Sequence, residues 1–215
     1  MTTALLQTTY FGPIQWYQKL YRYDHCLIEQ YDSYQKQTFR NRCIIATANG
    51  VQALTIPVEN GKGEMRNEKC LMRDVRISDH NQWRRVHWNA LQSAYSESPF
   101  FDYYTDDIRP FFEQKYEFLV DFNEAIRQKI CELIDIHPSV EHTTSFLIPH
   151  STLHIPHSSV LTDYRDVINA KHPQPDATFE EKKYWQVFQH KHGFLPNLSI
   201  LDLLFCMGPE SVFYL

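Results

Sequence analysis

The N-terminal part of the chain carries five polar side chains of the kind that binds a phosphate or a carboxylate next to a hydroxyl-rich group. Lysine and arginine supply positive charge, and the planar guanidinium of arginine matches the geometry of an oxyanion. Glutamine, asparagine and tyrosine supply directional hydrogen bonds. These residue types predict a ligand-binding site, while a solvated strand face is the alternative interpretation of the cationic ones. The five residues are Gln7, Tyr10, Lys36, Asn41 and Arg42.

The pattern around these side chains predicts a strand, a helix and a second strand, which together make a βαβ unit. The apolar run at 4–6 predicts the first strand, and Pro13 suits the first position of a helix over 14–23. The apolar run at 26–28 predicts the second strand. Because ligands of such a unit bind beyond the carboxyl ends of its strands, near the helix N-terminus, we place the predicted site there.

Two residues receive predicted catalytic roles, His87 and Lys36. His87 follows Trp83 by four positions on a predicted helix, so the two side chains share one face. An imidazole has a pKa close to neutral pH, which suits a general base. Lys36, together with Arg42, would hold a phosphate group. The alternative interpretation of His87 is a half-buried histidine that is hydrogen-bonded for structural reasons.

Three further histidines, His150, His154 and His157, have the side chain that transition metals prefer. Their spacing matches no zinc signature such as HExxH, and Pro156 interrupts helical spacing. We therefore predict loop histidines without a metal, and no motif predicts a cofactor. The sequence also lacks GxSxG, Walker and GxGxxG motifs, which argues against a serine hydrolase, a P-loop NTPase and a standard dinucleotide oxidoreductase.

The composition limits the class of protein. The 215 residues carry a net charge of −5, so we expect no general nucleic-acid binding, which needs a basic face. No apolar stretch approaches the roughly 20 residues of a membrane span, and the N-terminus has no signal-peptide pattern. The five cysteines are scattered, which is typical of reduced, buried thiols. We expect a cytoplasmic protein, and its oligomeric state is left open.

The order of the patterns predicts an α/β protein with a single Rossmann-like three-layer domain over 1–215. Strand and helix patterns alternate at the start, and helical patterns then fill residues 79–135, as a mainly helical insertion in the middle of the chain. Strand patterns return at 145–148 and 184–188, and a short helix is expected over 163–170.

Capping residues predict where two of the helices begin. Asp79 is followed three positions later by Gln82, and Ser199 is followed three positions later by Asp202. Each pair fits a capping box, in which the two side chains bond to backbone N–H groups of the first turn. Gly208 suits the end of the last helix.

Several blocks of the sequence, spread over nearly the whole chain, follow one another in a recognisable order. The opening LLQTTYFGPIQWYQKL is followed by Asp24 and then by YDSYQKQTFRNRCII and LTIPV. Further blocks are WRRVH at 83–87, AYSESPFFDYY at 94–104 and the ending GFLPNLSILDLLFCMG. These blocks resemble the WbqC-like protein family, in the family's order from end to end. The family's opening usually resembles QPxxFPxxGYF. Here Thr8 stands in place of the proline, and Gln15-Trp16 in place of the Gly-Tyr pair.

The resemblance implies a setting in the synthesis of cell-surface polysaccharide of the O-antigen, lipopolysaccharide type. We therefore expect a group-transfer enzyme of acyl or aminoacyl type, whose partner is a small phosphorylated or nucleotide-linked sugar. The competing interpretation is a non-catalytic binding or assembly protein of the same pathway, with the aromatic run at 100–104 as a partner surface. A nucleotidylyltransferase is disfavoured, because no histidine of an HxGH motif stands between Pro13 and Trp16.

Overall fold

A computed structural model of the chain describes residues 2–59, 70–148 and 160–215. These residues form six strands and seven α-helices. The strands are β1 (Thr2–Gln7), β2 (His25–Glu29), β3 (Arg42–Thr47), β4 (Gly50–Thr55), β5 (Val140–His142) and β6 (Val160–Asp163). The helices are α1 (Ile14–Arg22), α2 (Trp83–Tyr95), α3 (Phe101–Ile108), α4 (Pro110–Glu113), α5 (Leu119–Leu133), α6 (Gln189–His192) and α7 (Ile200–Met207). Short 3-10 helices lie at Met72–Asp74, His80–Gln82 and Gly208–Tyr214.

Four strands form a parallel sheet in the order β5-β2-β1-β6, so β1 and β2 are its inner strands. The apolar run of β1 explains this position, since Ala4, Leu5 and Leu6 are fully buried. Burial on both faces is typical of a parallel sheet whose crossover connections cover it. The predicted βαβ unit is confirmed as β1, α1 and β2. β3 and β4 form a separate antiparallel hairpin.

Helices surround the parallel sheet and the hairpin. α1 packs on β1 and β2, while α7 packs on α1, α3 and β3. Because α7 has neighbours on several sides, every residue from Ile200 to Cys206 is buried. The mixed α/β class and the helical region predicted at 79–135 are confirmed, since α2 to α5 occupy that region. The three-layer arrangement and the single domain stay predictions. Within the described ranges, no helix is long and apolar enough to cross a bilayer.

Three predicted elements are wrong. The structure has no strand at 145–148 and none at 184–188, and no helix over 163–170. The outer strands β5 and β6 of the sheet lie at other segments, 140–142 and 160–163. The alternation at 184–188 has another cause: Tyr184 and Gln186 are buried because both donate hydrogen bonds to the carboxylate of Asp202, at 2.7 and 3.2 Å. The alternating burial at 184–188 therefore arises because alternate side chains contact α7, and not because the segment pairs with a neighbouring strand.

The cap of α2 also differs from the prediction. Gln82 takes the N-cap position with a left-handed backbone, and neither it nor Asp79 caps the helix with its side chain. The carboxylate of Asp79 instead forms ion pairs with Arg84 and Lys115. Hydrogen bonds from Lys115 and from Arg84 lower the pKa of this exposed carboxyl to about 2.

The last helix follows its prediction in part. The hydroxyl of Ser199 caps α7 by accepting a hydrogen bond from the N–H of Leu201 at 3.3 Å. Gly208 ends the helix with a positive φ of 55°, which favours glycine. Asp202, however, does not complete a capping box. Its buried carboxylate accepts hydrogen bonds from side chains, including the hydroxyl of Tyr95 at 2.8 Å.

Candidate functional site

Polar side chains gather where the parallel strands end. Gln7 is the last residue of β1 and Glu29 the last residue of β2, and the two are direct partners in the sheet register. Because side chains alternate along a strand, register partners project on the same side of the sheet. Asp163 is the last residue of β6. Strand carboxyl ends are the usual ligand-binding edge of a parallel α/β sheet, so this edge is the candidate site.

Glu29 is the best-connected carboxylate at this edge. It is fully buried and accepts four hydrogen bonds. One oxygen accepts from the N–H of Tyr31 and the hydroxyl of Thr143, both at 2.8 Å. The other accepts from the N–H of Leu147 at 2.9 Å and from Arg165 at 3.1 Å. All acceptor directions that a carboxylate offers are used, so Glu29 organises the surrounding loops and has none left for a ligand.

A second buried ion pair lies close by, between Arg40 and Asp32. Arg40 is 1% exposed, and its guanidinium donates to one oxygen of Asp32. Burial raises the pKa of Asp32, and the charge of Glu29 adds to this effect, although Arg40 opposes it. The second oxygen of Asp32 and the Nε of Arg40 have no hydrogen-bond partner among the described residues. Unlike Glu29, Asp32 therefore retains capacity to bind a donor.

Three buried amides share one further feature. In Gln7, Asn41 and Asn123 the amide nitrogen donates to a backbone carbonyl, which fixes the orientation of the amide. The accepting carbonyls are those of Ile168, Ile56 and Arg40. In each case the amide oxygen is left without a partner in the described part of the chain. Buried acceptors without donors are rare in folded proteins, so three such amides require an explanation.

Two further buried oxygens share this property. The hydroxyl oxygen of Thr9 and one oxygen of Asp32 are also buried and unpartnered within the described residues. A set of unpartnered hydrogen-bond acceptors is complemented by a ligand that carries many hydrogen-bond donors. Hydroxyl and amino groups are the common donors of this kind. The arrangement suits a polyol or an amino sugar better than a ligand made only of phosphate oxygens.

Tyr10 and His87 are brought together by the fold. The hydroxyl of Tyr10 lies 2.9 Å from Nδ1 of His87, and both side chains are buried. Burial lowers the pKa of His87 to about 4, against a hydrogen bond to the backbone of Thr55 that favours the charged form. The ring of Tyr10 stacks on Phe122 at 6.0 Å between centroids. Nδ1 of the imidazole is thus engaged, in an aromatic environment.

The other predicted residues are dispersed. Lys36 is exposed. Arg42 is half-buried and donates from Nε to the hydroxyl of Thr55 at 3.0 Å. Among the described residues, no hydrogen bond joins Gln7, Lys36 and Arg42 to one another. The catalytic and binding roles of the six residues stay predictions, and His150, His154 and His157 lie outside the described residues.

Sequence reasoning missed the charged residues of this edge. Glu29 gave a usable signal, because it directly follows the apolar run of β2. Asp32 and Arg40 stand in the loop that follows but have no distinctive spacing. Arg165 gave none, because its partner Glu29 lies 136 positions away. Within the described ranges, no group of three or more His, Cys, Asp or Glu side chains could hold a metal ion.

The fold and this edge define an α/β protein with buried charges and unpartnered acceptors at the carboxyl ends of a parallel sheet. The chain belongs to the WbqC-like protein family, whose model matches residues 7–214. It is also similar to the uncharacterized protein Rv1507c of Mycobacterium tuberculosis (strain ATCC 25618 / H37Rv). The two are 26% identical over 227 aligned residues, which cover 99% of this chain and 96% of the relative. No solved structure matches this chain significantly.

Proposed function

We propose that this protein is a cytoplasmic group-transfer enzyme that moves an acyl or aminoacyl group onto an activated sugar for cell-surface polysaccharide synthesis. The domain would have the Rossmann-like three-layer arrangement. One observation carries the proposal: the buried oxygens of Gln7, Asp32, Asn41 and Asn123 have no donor among the described residues. Sugar hydroxyl and amino groups would supply those donors. Membership of the WbqC-like family supports the pathway by resemblance.

The transfer itself needs a proton acceptor. A hydroxyl or amino group of the sugar attacks the carbonyl carbon of the donor, loses its proton, and the donor's carrier departs with the bonding electrons. Asp32 is one candidate acceptor, because one of its oxygens is unpartnered within the described residues. His87 is the other, since a pKa of about 4 keeps it neutral at neutral pH. Asp32 is favoured, because the imidazole of His87 lies between the rings of Tyr10 and Trp83 and already bonds through Nδ1 to Tyr10.

Binding groups complete the proposal. Gln7 and Asn41 would accept hydrogen bonds from the sugar hydroxyls through their unpartnered oxygens. Lys36 and Arg42 would hold the phosphate of the activated sugar, as cations on or near the segment that leads into β3. Tyr10 would hold the loop after β1 in place, through its bond to His87 and through its N–H, which donates to the carbonyl of Phe39 at 2.9 Å.

A matched pair of glutamines tests the site. Gln7 and Gln18 are both buried, and both donate to a backbone carbonyl. The oxygen of Gln18 accepts from the N–H of Glu180 at 3.1 Å, whereas that of Gln7 has no described partner. Thermal unfolding would be measured with a panel of nucleotide sugars. We expect a sugar-dependent rise in melting temperature that Gln7→Met removes and that Gln18→Met keeps.

The phosphate and the transfer are tested separately. Arg42→Ala should weaken binding of the nucleotide sugar, while binding of the free amino sugar is kept. Asp32→Asn leaves the buried Arg40 without its anion, so urea unfolding first measures the folded fraction. In that folded fraction the variant should keep binding but abolish transfer in a mass-spectrometric assay with acyl donors. The absence of any shift across the panel, or equal shifts in wild type and Gln7→Met, would refute the site. Binding without turnover, and with a stoichiometric protein partner, would support the binding-protein alternative.

The surface suggested for that alternative is mostly core. In the aromatic run at 100–104, Phe101 and Tyr104 are buried, and only Tyr103 is widely exposed, at 73%. A single exposed tyrosine makes a small docking surface, so the structure offers the binding-protein alternative no further support from this run.

A further inference from the structure

A cavity of about 340 Å³ opens beside the first half of α2, and no residue of the charged strand edge lines it. Three arginines line the cavity, Arg84, Arg85 and Arg109, against a single acidic residue, Glu113. In a chain with a net charge of −5, this is a local concentration of positive charge. Such a cavity attracts anions.

Part of this positive charge is available to a ligand, because two of the three arginines are already ion-paired. Arg109 donates to Glu113 at 2.6 Å and is neutralised by it. Arg84 uses one nitrogen on Asp79, but its Nε is buried without a partner in the described part of the chain. Arg85 is exposed and makes no hydrogen bond or ion pair with the described residues. Arg85 and part of the fork of Arg84 are therefore left to bind an anion.

Two aromatic side chains also line the cavity. Phe112 is buried and Trp88 is half-buried, and their ring centroids lie 5.7 Å apart. Gln82, the N-cap residue of α2, also lines the cavity. The first turn of α2 has no acidic residue and no side-chain cap, so its N–H groups and helix dipole add to the attraction for an anion.

We propose that this cavity binds a small amphipathic anion, namely an aromatic ring that carries a carboxylate or a phosphate. The ring lies against Trp88 and Phe112, and the anionic head lies between Arg84 and Arg85. The volume is at the lower end of the range for small-molecule sites, which fits one ring and its head group. The inference does not depend on the proposed function of the strand edge.

Calorimetric titration of the full chain tests the site with four probes: phenyl phosphate, benzoate, inorganic phosphate and benzyl alcohol. We expect phenyl phosphate or benzoate to bind at least about tenfold more tightly than inorganic phosphate and benzyl alcohol, because only they offer both a ring and a charge. Arg85→Ala should weaken that binding by about tenfold or more, the usual loss for a hydrogen bond to a charged group. Arg85 is exposed, so its substitution leaves folding intact.

Arg76→Ala is the matched control. Arg76 is exposed, pairs with Glu117 and lies over the ring of Phe118 at 4.8 Å, but it does not line this cavity. Its substitution should leave the affinity unchanged. The proposal is overturned if neither aromatic anion binds, if Arg85→Ala has no effect, or if Arg76→Ala weakens binding as much. Equal affinity for inorganic and phenyl phosphate would overturn it as well, because the ring would then contribute nothing.

Discussion

Nη1 of Arg165 lies 3.1 Å from Oε2 of Glu29, although the two residues are 136 positions apart in the sequence. The same guanidinium donates to Asp163 at 2.7 Å. Since β1 lies between β2 and β6 in the sheet, Arg165 links the ends of two strands across a third. The edge that carries the candidate site is therefore held by one long-range ion pair and one local ion pair that share a guanidinium.

Removal of Arg165 is expected to destabilise the protein strongly. Arg165→Met leaves Glu29 as a fully buried carboxylate without its cation. We expect a loss of about 3–5 kcal/mol in the free energy of unfolding, measured with urea at pH 7. Arg76→Met is the control, because the exposed pair of Arg76 with Glu117 contributes less than about 1 kcal/mol. A loss for Arg165→Met as small as that of the control would contradict the argument.

The pair of Asp32 and Arg40 should show strong coupling in a double-mutant cycle. Arg40→Met alone leaves the buried Asp32 without its cation, so we expect a loss of about 3–5 kcal/mol. Asp32→Asn in the same chain removes the uncompensated charge. The double variant should therefore be more stable than Arg40→Met alone, with a coupling energy above about 1 kcal/mol by urea unfolding. Additive losses would show that the two side chains act independently.

Acid should destabilise the protein through His87. Burial lowers its folded-state pKa to about 4, whereas an unfolded histidine titrates near 6.5. As the pH falls, the unfolded chain takes up this proton first. The contribution of His87 is therefore complete above about pH 6.5 and is lost between about pH 6.5 and 4, at most about 3 kcal/mol.

Urea unfolding at pH 7 and pH 4.5 measures this contribution. His87→Phe should lose less stability over this interval than wild type does, even though it is less stable at pH 7. His172→Gln, which replaces an exposed histidine, should follow wild type. If His87→Phe keeps the full pH dependence of wild type, another group is responsible for it.

Two cations of α1 offer a comparison between a buried and an exposed ion pair. Lys19 is 1% exposed and binds Asp176 at 2.6 Å, while Arg22 binds Glu180 at 2.7 Å near the surface. We expect Lys19→Met to cost about 3–5 kcal/mol and to speed hydrogen exchange around Asp176. Arg22→Met should cost less than about 1 kcal/mol and leave the exchange unchanged. Similar exchange in both variants would show that Lys19 does not hold the 176–180 segment.

The sequence predicts most where the signal is local. The unit of β1, α1 and β2 follows from apolar runs and helical spacing within one short segment. The bond between Tyr10 and His87 joins two residues that the sequence singled out, but spacing could not show that they would meet. The hydroxyl of Ser199 and the position of Gly208 likewise set the ends of α7 through nearby backbone groups.

What the sequence could not predict depends on distant partners. The structural role of Arg165 depends on its ion pair with Glu29, which is distant in the sequence. Asp202 does not cap α7, because its carboxylate accepts hydrogen bonds from Tyr95 and Tyr184 instead. Buried carboxylates must find donors, and tertiary contacts decide which ones. The local sequence pattern therefore does not predict which donors a buried carboxylate will bind.

The inner position of β1 has a consequence for how the chain folds. One edge of β1 pairs with β2, which is close in sequence, but the other edge pairs with β6, so that Thr2 meets Val160. A closure over that distance is entropically costly and slow compared with the local βαβ unit. During synthesis, one edge of β1 therefore stays unpaired until the ribosome has made β6, at residues 160–163. An unpaired strand edge can pair with other chains, so β1 is open to aggregation and to chaperones over this interval.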